Sequence, residues 1–563
     1  MQRLVICLVV YGLVRLIFWT EAFPNPDEAY YWLWGQHLDW SYYDHPPLMV
    51  WLQHGLSYLL AQVLGVNFTT THTNLRALNL ITNGLFFWTY WRILYRLYPQ
   101  WSQSQIQRGM IYLVLCICAA PLYWLMLSLA WHDHVMITLA LMGATEFWCF
   151  TVEWLQNQRG STSRLYLAGI LLGLACLAKY NGIFMTLGLF VAVVTNRHLR
   201  PLLKDYRFWG AGILLVTMLY PVVHWNLGNN LLSFQFYATR SVDMGTPLQR
   251  LLEPIGFWCI SLLMLSPMNG FFFWQIGKQM RFGTFWQVPT PKRENHITSN
   301  ITSDITSNAQ TLEPQQVYQI FALWTFIVPT ISLSLVSLVS TALYYWNITA
   351  YLLLFPLIPS YLEANGITKR TPNLFWTGQG LGLLFAILFC INSVVLPVSA
   401  LWGKDGDLDN RMLYGWSEMI PMIKAERQAL QAVGKINEHT PIFTTDYRSA
   451  AAIAYGLAMY DSANYRQSKN NNSVPDVTAA ISTRISQFSV WDYRRKSTDL
   501  NFEHGNGLVI YDDWHPLQAV KKTHFQNVTV RREFVVRRFG IPIKTYTLAW
   551  GENWLGDSQS QRQ

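Results

Sequence analysis

Eleven stretches of this chain are dominated by apolar residues: about 4–19, 77–91, 110–130, 135–153, 165–178, 181–196, 208–223, 254–276, 317–341, 344–362 and 374–400. A helix needs about 20 residues to cross the hydrocarbon of a bilayer. Most of these stretches are near that length, and the two flanking Lys179 are the shortest. Lys and Arg collect in alternate connections, at Arg92, Arg96 and Arg108, at Arg159 and Arg164, at Arg197 to Arg207, at Lys278 to Arg293, and at Lys369 and Arg370. Cations stay on the cytoplasmic side of membrane helices. The alternation therefore predicts about eleven transmembrane helices, with the N-terminus inside. Pro46 to Gly65 is also apolar, but a span there would break the alternation. It is expected to lie at, or dip into, the outer surface.

The first apolar stretch lacks a small-residue cleavage site and is read as an uncleaved anchor. Residues 401–563 have no long apolar run and are richer in charge. The segments Pro441 to Asp446, Gly507 to Asp513 and "KTYTLAWG" read as strands, and "MIKAERQALQAVGKI" and "RSAAAIAYGLAMY" as helices. This alternation predicts an extracytoplasmic α/β domain with a largely parallel sheet. Residues 1–400 form the membrane domain. Its 290–316 connection carries an Ile-Thr-Ser-Asn/Asp repeat and reads as a flexible cytoplasmic loop.

Composition sharpens this picture. Hydrophobic residues make up 52% and charged residues 13% of the 563, about half the charge of an average soluble domain. The net charge of +9 is explained by the topology-setting loops, so nucleic acid is not an expected partner. The seven cysteines lie in or beside apolar runs without a CxxC pair, which makes them small buried hydrophobes. The sequons at Asn67, Asn347, Asn471 and Asn527 are read as chance occurrences.

The first outer loop, residues 20–75, is chemically unusual. "PNPDEAYYWLWGQHLDWSYYDHPP" holds four acidic residues, nine aromatic rings counting His37 and His45, and no Lys or Arg. The topology brings further polar groups to this same face: His132-Asp133-His134, Lys179 and Tyr180, then His224, Asn226 and Arg240. Each has an ordinary reading. Asp27 and Glu28 follow Pro-Asn-Pro and suit a helix N-terminus. His45 precedes a Pro pair at a helix start, and Lys179 at a membrane edge can snorkel. Asp133 with its histidines is a turn or a metal site. Together they suit group transfer: a carboxylate as general base, cations for a departing phosphate, and aromatic rings for sugar faces and lipid chains.

The motifs "PDEAYYWLWGQHLDWSYYDHPPL", "HDH", "GLACLAKYNGIFM", "YPVVHWNLGNNLLSFQFYATR", "YYWNITAYLLLFP" and "SQFSVWDY", in this order, resemble membrane glycosyltransferases of the GT-C class. They are most similar to the bacterial protein-mannosyltransferase-like group of family 39, with lipid A aminoarabinose transferases as relatives. The resemblance implies a polyprenyl-phosphate-linked sugar donor, an extracytoplasmic site in a bacterial inner membrane, and inversion at the sugar. It makes Asp27 the catalytic base, supported by Glu28. It places His45, Lys179 and Arg240 at the donor phosphate, with Tyr180, His224 and Asn226 supporting or on the acceptor side. Asp44 and Asp133 become candidates for a divalent metal or for orienting the site. Where the group often has Pro-Asp in the second acidic loop, this chain has His132-Asp133-His134. It also lacks a mid-chain sugar-binding-type domain, which favours lipid or glycan acceptors over protein. A flippase for polyprenyl lipids or glycolipids is the competing reading. It is disfavoured by the absence of an internal repeat and by charges gathered at one face. A scaffold or sensor would leave Asp27 dispensable.

Overall fold

The computed structural model describes residues 2–64, 71–157, 159–240, 247–279, 312–365, 372–402, 411, 413–436, 440–460, 477–482, 484–491, 505–517 and 525–554. The repeat-bearing loop of 290–316 falls almost wholly outside them. Four helices, Gln2–Glu21, His132–Asn157, Pro314–Ser337 and Asn373–Val394, are long and apolar enough to cross a membrane. Among the described residues, three bent pairs bring the count to at most seven, and three shorter apolar helices, Leu48–Leu64 among them, accompany these. The body is that of an integral membrane protein. Its outer surface is apolar where lipid would lie: Val5, Val9, Leu13, Leu16, Ile213, Val216, Leu263, Leu335 and Leu384 are all exposed.

The bends have a local cause. The breaks fall between Cys118 and Pro121, Thr217 and Tyr220, and Leu265 and Pro267, with bends of 88°, 42° and 98°. Each following segment carries Pro in its first turn: Pro121, Pro221 and Pro267. Proline has no N–H for the preceding turn and clashes with its carbonyl, so an apolar run breaks there.

The stretch 344–362, expected to be a spanning helix, is not a regular one. It forms 3₁₀ turns at Tyr344–Tyr351 and Phe355–Leu357, then a short helix Ile358–Asn365. Residues Asn347 to Tyr351 are buried. Irregular backbone inside an apolar body needs partners from its neighbours. Three tyrosine hydroxyls supply them: Tyr123 to the Ile348 carbonyl at 2.6 Å, Tyr90 to Leu352 at 3.0 Å and Tyr98 to Pro356 at 3.2 Å. Hydropathy sees the apolar residues but not these hydroxyls.

One end of the helical body is rich in arginine. Glu146 binds Arg92 at 2.6 Å and Arg164 at 2.8 Å, Asp205 binds Arg207 at 2.6 Å, and Glu363 binds Arg108.

The C-terminal region is an α/β unit. After the helix Trp416–Ala432 come β1 (Ile442–Thr444), the helix Tyr447–Tyr460, β2 (Val477–Thr478), β3 (Gly507–Asp512), β4 (Phe525–Arg538) and β5 (Ile541–Trp554). The sheet order is β2-β1-β3-β5-β4. β1 pairs in parallel with β2 and β3, but β3–β5 and β4–β5 are antiparallel. The sheet is therefore mixed, where a largely parallel one was expected. The cause is a hairpin: Phe539 and Gly540 both have positive φ, 51° and 80°, the geometry of a tight two-residue turn. β4 escapes a hydropathy reading because most of its side chains are exposed, which suits a charged edge strand. The helix Tyr447–Tyr460 buries Ala450, Ala451, Ala452, Ala454 and Ala458. These small residues let it pack closely between Trp416–Ala432 and the first outer loop.

Candidate active site

The outer loop folds as a capped helix. Pro26 opens the helix Pro26–Gln36, and the Asn25 side chain accepts from the Asp27 N–H at 3.0 Å. Glu28 completes the box by accepting from the Asn25 N–H at 2.9 Å. Its two oxygens accept three more bonds: from Arg76 Nε at 2.9 Å, Arg76 Nη2 at 2.7 Å and the Ala130 N–H at 2.8 Å. A carboxylate has about four acceptor positions, and all are occupied. Arg76 Nη1 in turn donates to the carbonyls of Phe18, Trp19 and Ala22 at the end of the first helix. Glu28 and Arg76 are 0% and 1% exposed. Glu28 is thus a structural clamp among the first helix, the outer loop and the segment before His132. Any support it gives Asp27 is through holding the helix, since its acceptor positions are filled. Arg76 was missed in the sequence. Its signal was a lone cation closing a loop otherwise devoid of them.

Asp27, one residue earlier, has a different setting. It is half-buried at the second position of the helix. Tyr31 and Tyr447 lie within its field. Burial raises the pKa of both hydroxyls, and the Asp27 charge adds to the rise. For Tyr447, the guanidiniums of Arg484 and Arg448 oppose this. Arg448 binds Asp446 at 3.0 Å and lies 4.2 Å over the Trp514 ring.

Asp44 is brought to the same chamber by the other end of the loop. Its Oδ2 accepts from the Tyr30 hydroxyl at 2.8 Å, and that hydroxyl accepts from the Gln487 N–H at 2.7 Å. Gln487 Oε1 also accepts from the Tyr43 N–H at 2.8 Å. The Tyr447 ring meets Tyr30 edge-on at 4.8 Å. The α/β unit therefore packs against the outer loop here through Tyr447, Arg448, Arg484 and Gln487. No catalytic cluster was legible in that region. Of these four only Gln487 lay in a quoted motif, as part of "SQF".

A second group of residues adjoins the first. Lys179 binds Asp133 through both carboxylate oxygens, at 2.9 and 2.7 Å, and lies 4.8 Å over the Tyr345 ring. The pair is buried, so Lys179 is neutralised by protein rather than presented as a single cation. The His132 ring is wedged against Tyr31 at 4.3 Å and His45 at 4.7 Å. Among the described residues neither His132 ring nitrogen has a hydrogen-bond partner, although the residue is 1% exposed. His45 Nδ1 lies 3.2 Å from the Tyr237 hydroxyl, and Tyr180 meets the Tyr237 ring edge-on at 5.1 Å. His134 is occupied by Thr82 Oγ1 at 2.8 Å.

Other expected residues fall outside this group. His224 is exposed and packs between Tyr220 and Trp40. Asn226 is buried, donating to the Val222 carbonyl at 2.9 Å and accepting from the Ser233 N–H at 3.1 Å. It pins the turn at Asn230 and Leu231, both with positive φ. These contacts are architectural, which suits the supporting half of the role expected of Asn226. Arg240 ends the helix Leu232–Arg240, and its side chain lies outside the described residues. Among the described residues no three His, Cys, Asp or Glu side chains gather to hold a metal. Asp133 is matched to Lys179 and Asp44 to Tyr30, so this pair does not fit a divalent ion as placed.

No protein-family model and no curated protein matches the sequence. Solved structures do. The crystal structure of ArnT from Cupriavidus metallidurans in the apo state matches with a TM-score of 0.53 and 13% identity, over 97% of each chain. ArnT bound to undecaprenyl phosphate matches at 0.49 and 14% identity, again over 97% of each. The archaeal oligosaccharyltransferase AglB from Archaeoglobus fulgidus, in complex with an inhibitory peptide and a dolichol-phosphate, matches at 0.41 and 13% identity, over 90% of this chain and 69% of that one. The chain has the fold of apo ArnT.

Proposed function

We propose that this protein is an inverting glycosyltransferase that moves a sugar from a polyprenyl-phosphate donor to a lipid or glycan acceptor. The reaction takes place at the outer face of a bacterial inner membrane, with the N-terminus cytoplasmic. The observation that carries this reading is the cluster of aromatic rings and cations gathered beside Asp27 from distant parts of the chain. Tyr31 comes from its own helix, and Tyr447 from the α/β unit, with Arg448 and Arg484 5.6 and 4.6 Å over the Tyr447 ring and Tyr30 edge-on to it at 4.8 Å. Asp27 takes the proton from the acceptor hydroxyl. The acceptor oxygen attacks the anomeric carbon from the face opposite the phosphate, and the C–O bond to the lipid phosphate breaks. The phosphate leaves with the bonding pair and is stabilised by nearby donors and cations. We assign such donation to His45, whose Nδ1 lies 3.2 Å from the Tyr237 hydroxyl. Glu28 and Arg76 hold the helix that aims Asp27. Lys179 and Asp133 fix the turn carrying His132.

The test uses full-length protein in lipid vesicles with a panel of polyprenyl-phosphate sugars and candidate acceptors. Release of free polyprenyl phosphate is followed by mass spectrometry for wild type and Asp27→Asn. Release by wild type alone, with sugar on an acceptor, is the expected result. Labelled lipid crossing the bilayer unchanged with both proteins would replace this reading with transport.

A further inference from the structure

Arg484 stands apart from the other cations of the chamber. Arg76 is bound by Glu28, Lys179 by Asp133 and Arg448 by Asp446. Among the described residues no carboxylate forms an ion pair with Arg484. Its guanidinium lies 4.6 Å over the Tyr447 ring. From there the contacts run on to the outer loop: Tyr447 meets Tyr30 at 4.8 Å, and the Tyr30 hydroxyl binds Asp44 at 2.8 Å. The Arg484 side chain is nevertheless exposed. Burial works against its charge, while Tyr447, Asp44, Tyr30 and Asp27 together raise its pKa. It is therefore a permanent cation, backed on one face by an aromatic ring and open on the other. A guanidinium in that state can offer paired N–H donors to an oxyanion.

We propose that Arg484 binds a phosphate oxygen of a substrate beside Asp27, so that the α/β unit is part of the substrate site. This rests on the transferase reading. The phosphate belongs either to the lipid carrier or to the acceptor, and both present the same chemistry.

The experiment measures binding of undecaprenyl phosphate to full-length protein in nanodiscs, for wild type, Arg484→Gln and Arg484→Lys. Inorganic phosphate is then titrated onto each lipid-saturated protein. Arg484→Gln is expected to fold with an unchanged melting temperature, because no ion pair is lost. Weakening of lipid-phosphate binding by about tenfold, partly restored in Arg484→Lys, assigns the site to the carrier. Unchanged lipid binding with lost inorganic-phosphate binding assigns it to the acceptor side. Arg484→Gln binding both probes like wild type overturns the proposal. If wild type fails to bind the lipid phosphate, the transferase reading is damaged instead, and the inorganic-phosphate titration still decides the role of Arg484.

Discussion

The two ends of the helical body handle charge differently. At the arginine-rich end each carboxylate answers a cation: Glu146 with Arg92 and Arg164, Asp205 with Arg207, and Glu363 with Arg108. Several of these side chains are partly exposed, and such pairs contribute little to stability. At the aromatic end some charges are matched still more tightly, as in Glu28 with Arg76 and Asp133 with Lys179. Others sit among aromatic groups: Asp27 near Tyr31, Asp44 on the Tyr30 hydroxyl, and Arg484 over the Tyr447 ring. At the first end the carboxylates are held in ion pairs. At the second, carboxylates and cations also meet rings and hydroxyls. Adjacent residues can belong to either class, as Asp27 and Glu28 do.

The largest break in this comparison is expected from Asp27→Asn. The amide keeps the shape and loses the base, so transfer should fall by about 10² to 10⁴ with unfolding unchanged. Single-turnover assays beside a melting curve check it, and full turnover in the variant would sink the base assignment. Next come Glu28→Gln and Arg76→Met, each leaving half of a buried pair. Each should destabilise by about 3–5 kcal/mol, read from denaturation in detergent. The double variant Glu28→Met/Arg76→Met should recover part of that loss, because no unpaired charge remains. Arg108→Gln at the opposite end should cost no more than about 1 kcal/mol and leave transfer intact. A large activity loss there would mean that the two ends are not functionally distinct.

The smallest effect concerns pH. His72 lies where the outer loop meets the α/β unit, with Nδ1 3.2 Å from the Tyr455 hydroxyl. Burial and then Arg76 push its pKa down to about 4, with Glu28 opposing. Below the ordinary histidine value of 6.5 the unfolded chain takes up a proton that the folded one refuses. Stability is therefore whole above that value and declines as pH falls towards 4. The melting temperature of wild type should fall over this window more steeply than that of His72→Phe.

Much of the membrane body was legible because apolar run length and proline position are local properties. The runs near 4–19, 135–153, 317–341 and 374–400 became long helices, and the bends follow Pro121, Pro221 and Pro267. The run at 344–362 misled because an apolar segment can also be irregular when tyrosine hydroxyls from other helices satisfy its carbonyls. The strand β4 was hidden by its charge. Within the site, Asp27, Asp44, His45, Asp133 and Lys179 were all picked out. Their partners were not, because a contact such as Glu28 with Arg76 spans 48 positions and leaves no periodic trace.

Sequence alone determined that this chain enters a membrane, that its first outer loop gathers carboxylates and rings, and that a separate α/β region follows. Those features follow from composition over windows of a few to some twenty residues. Only the tertiary structure decided which carboxylate is a clamp and which faces the chamber, and that the α/β unit supplies Tyr447 and Arg484 to it. A carboxylate's role depends on which donors fill its lone pairs, and those donors are chosen by packing.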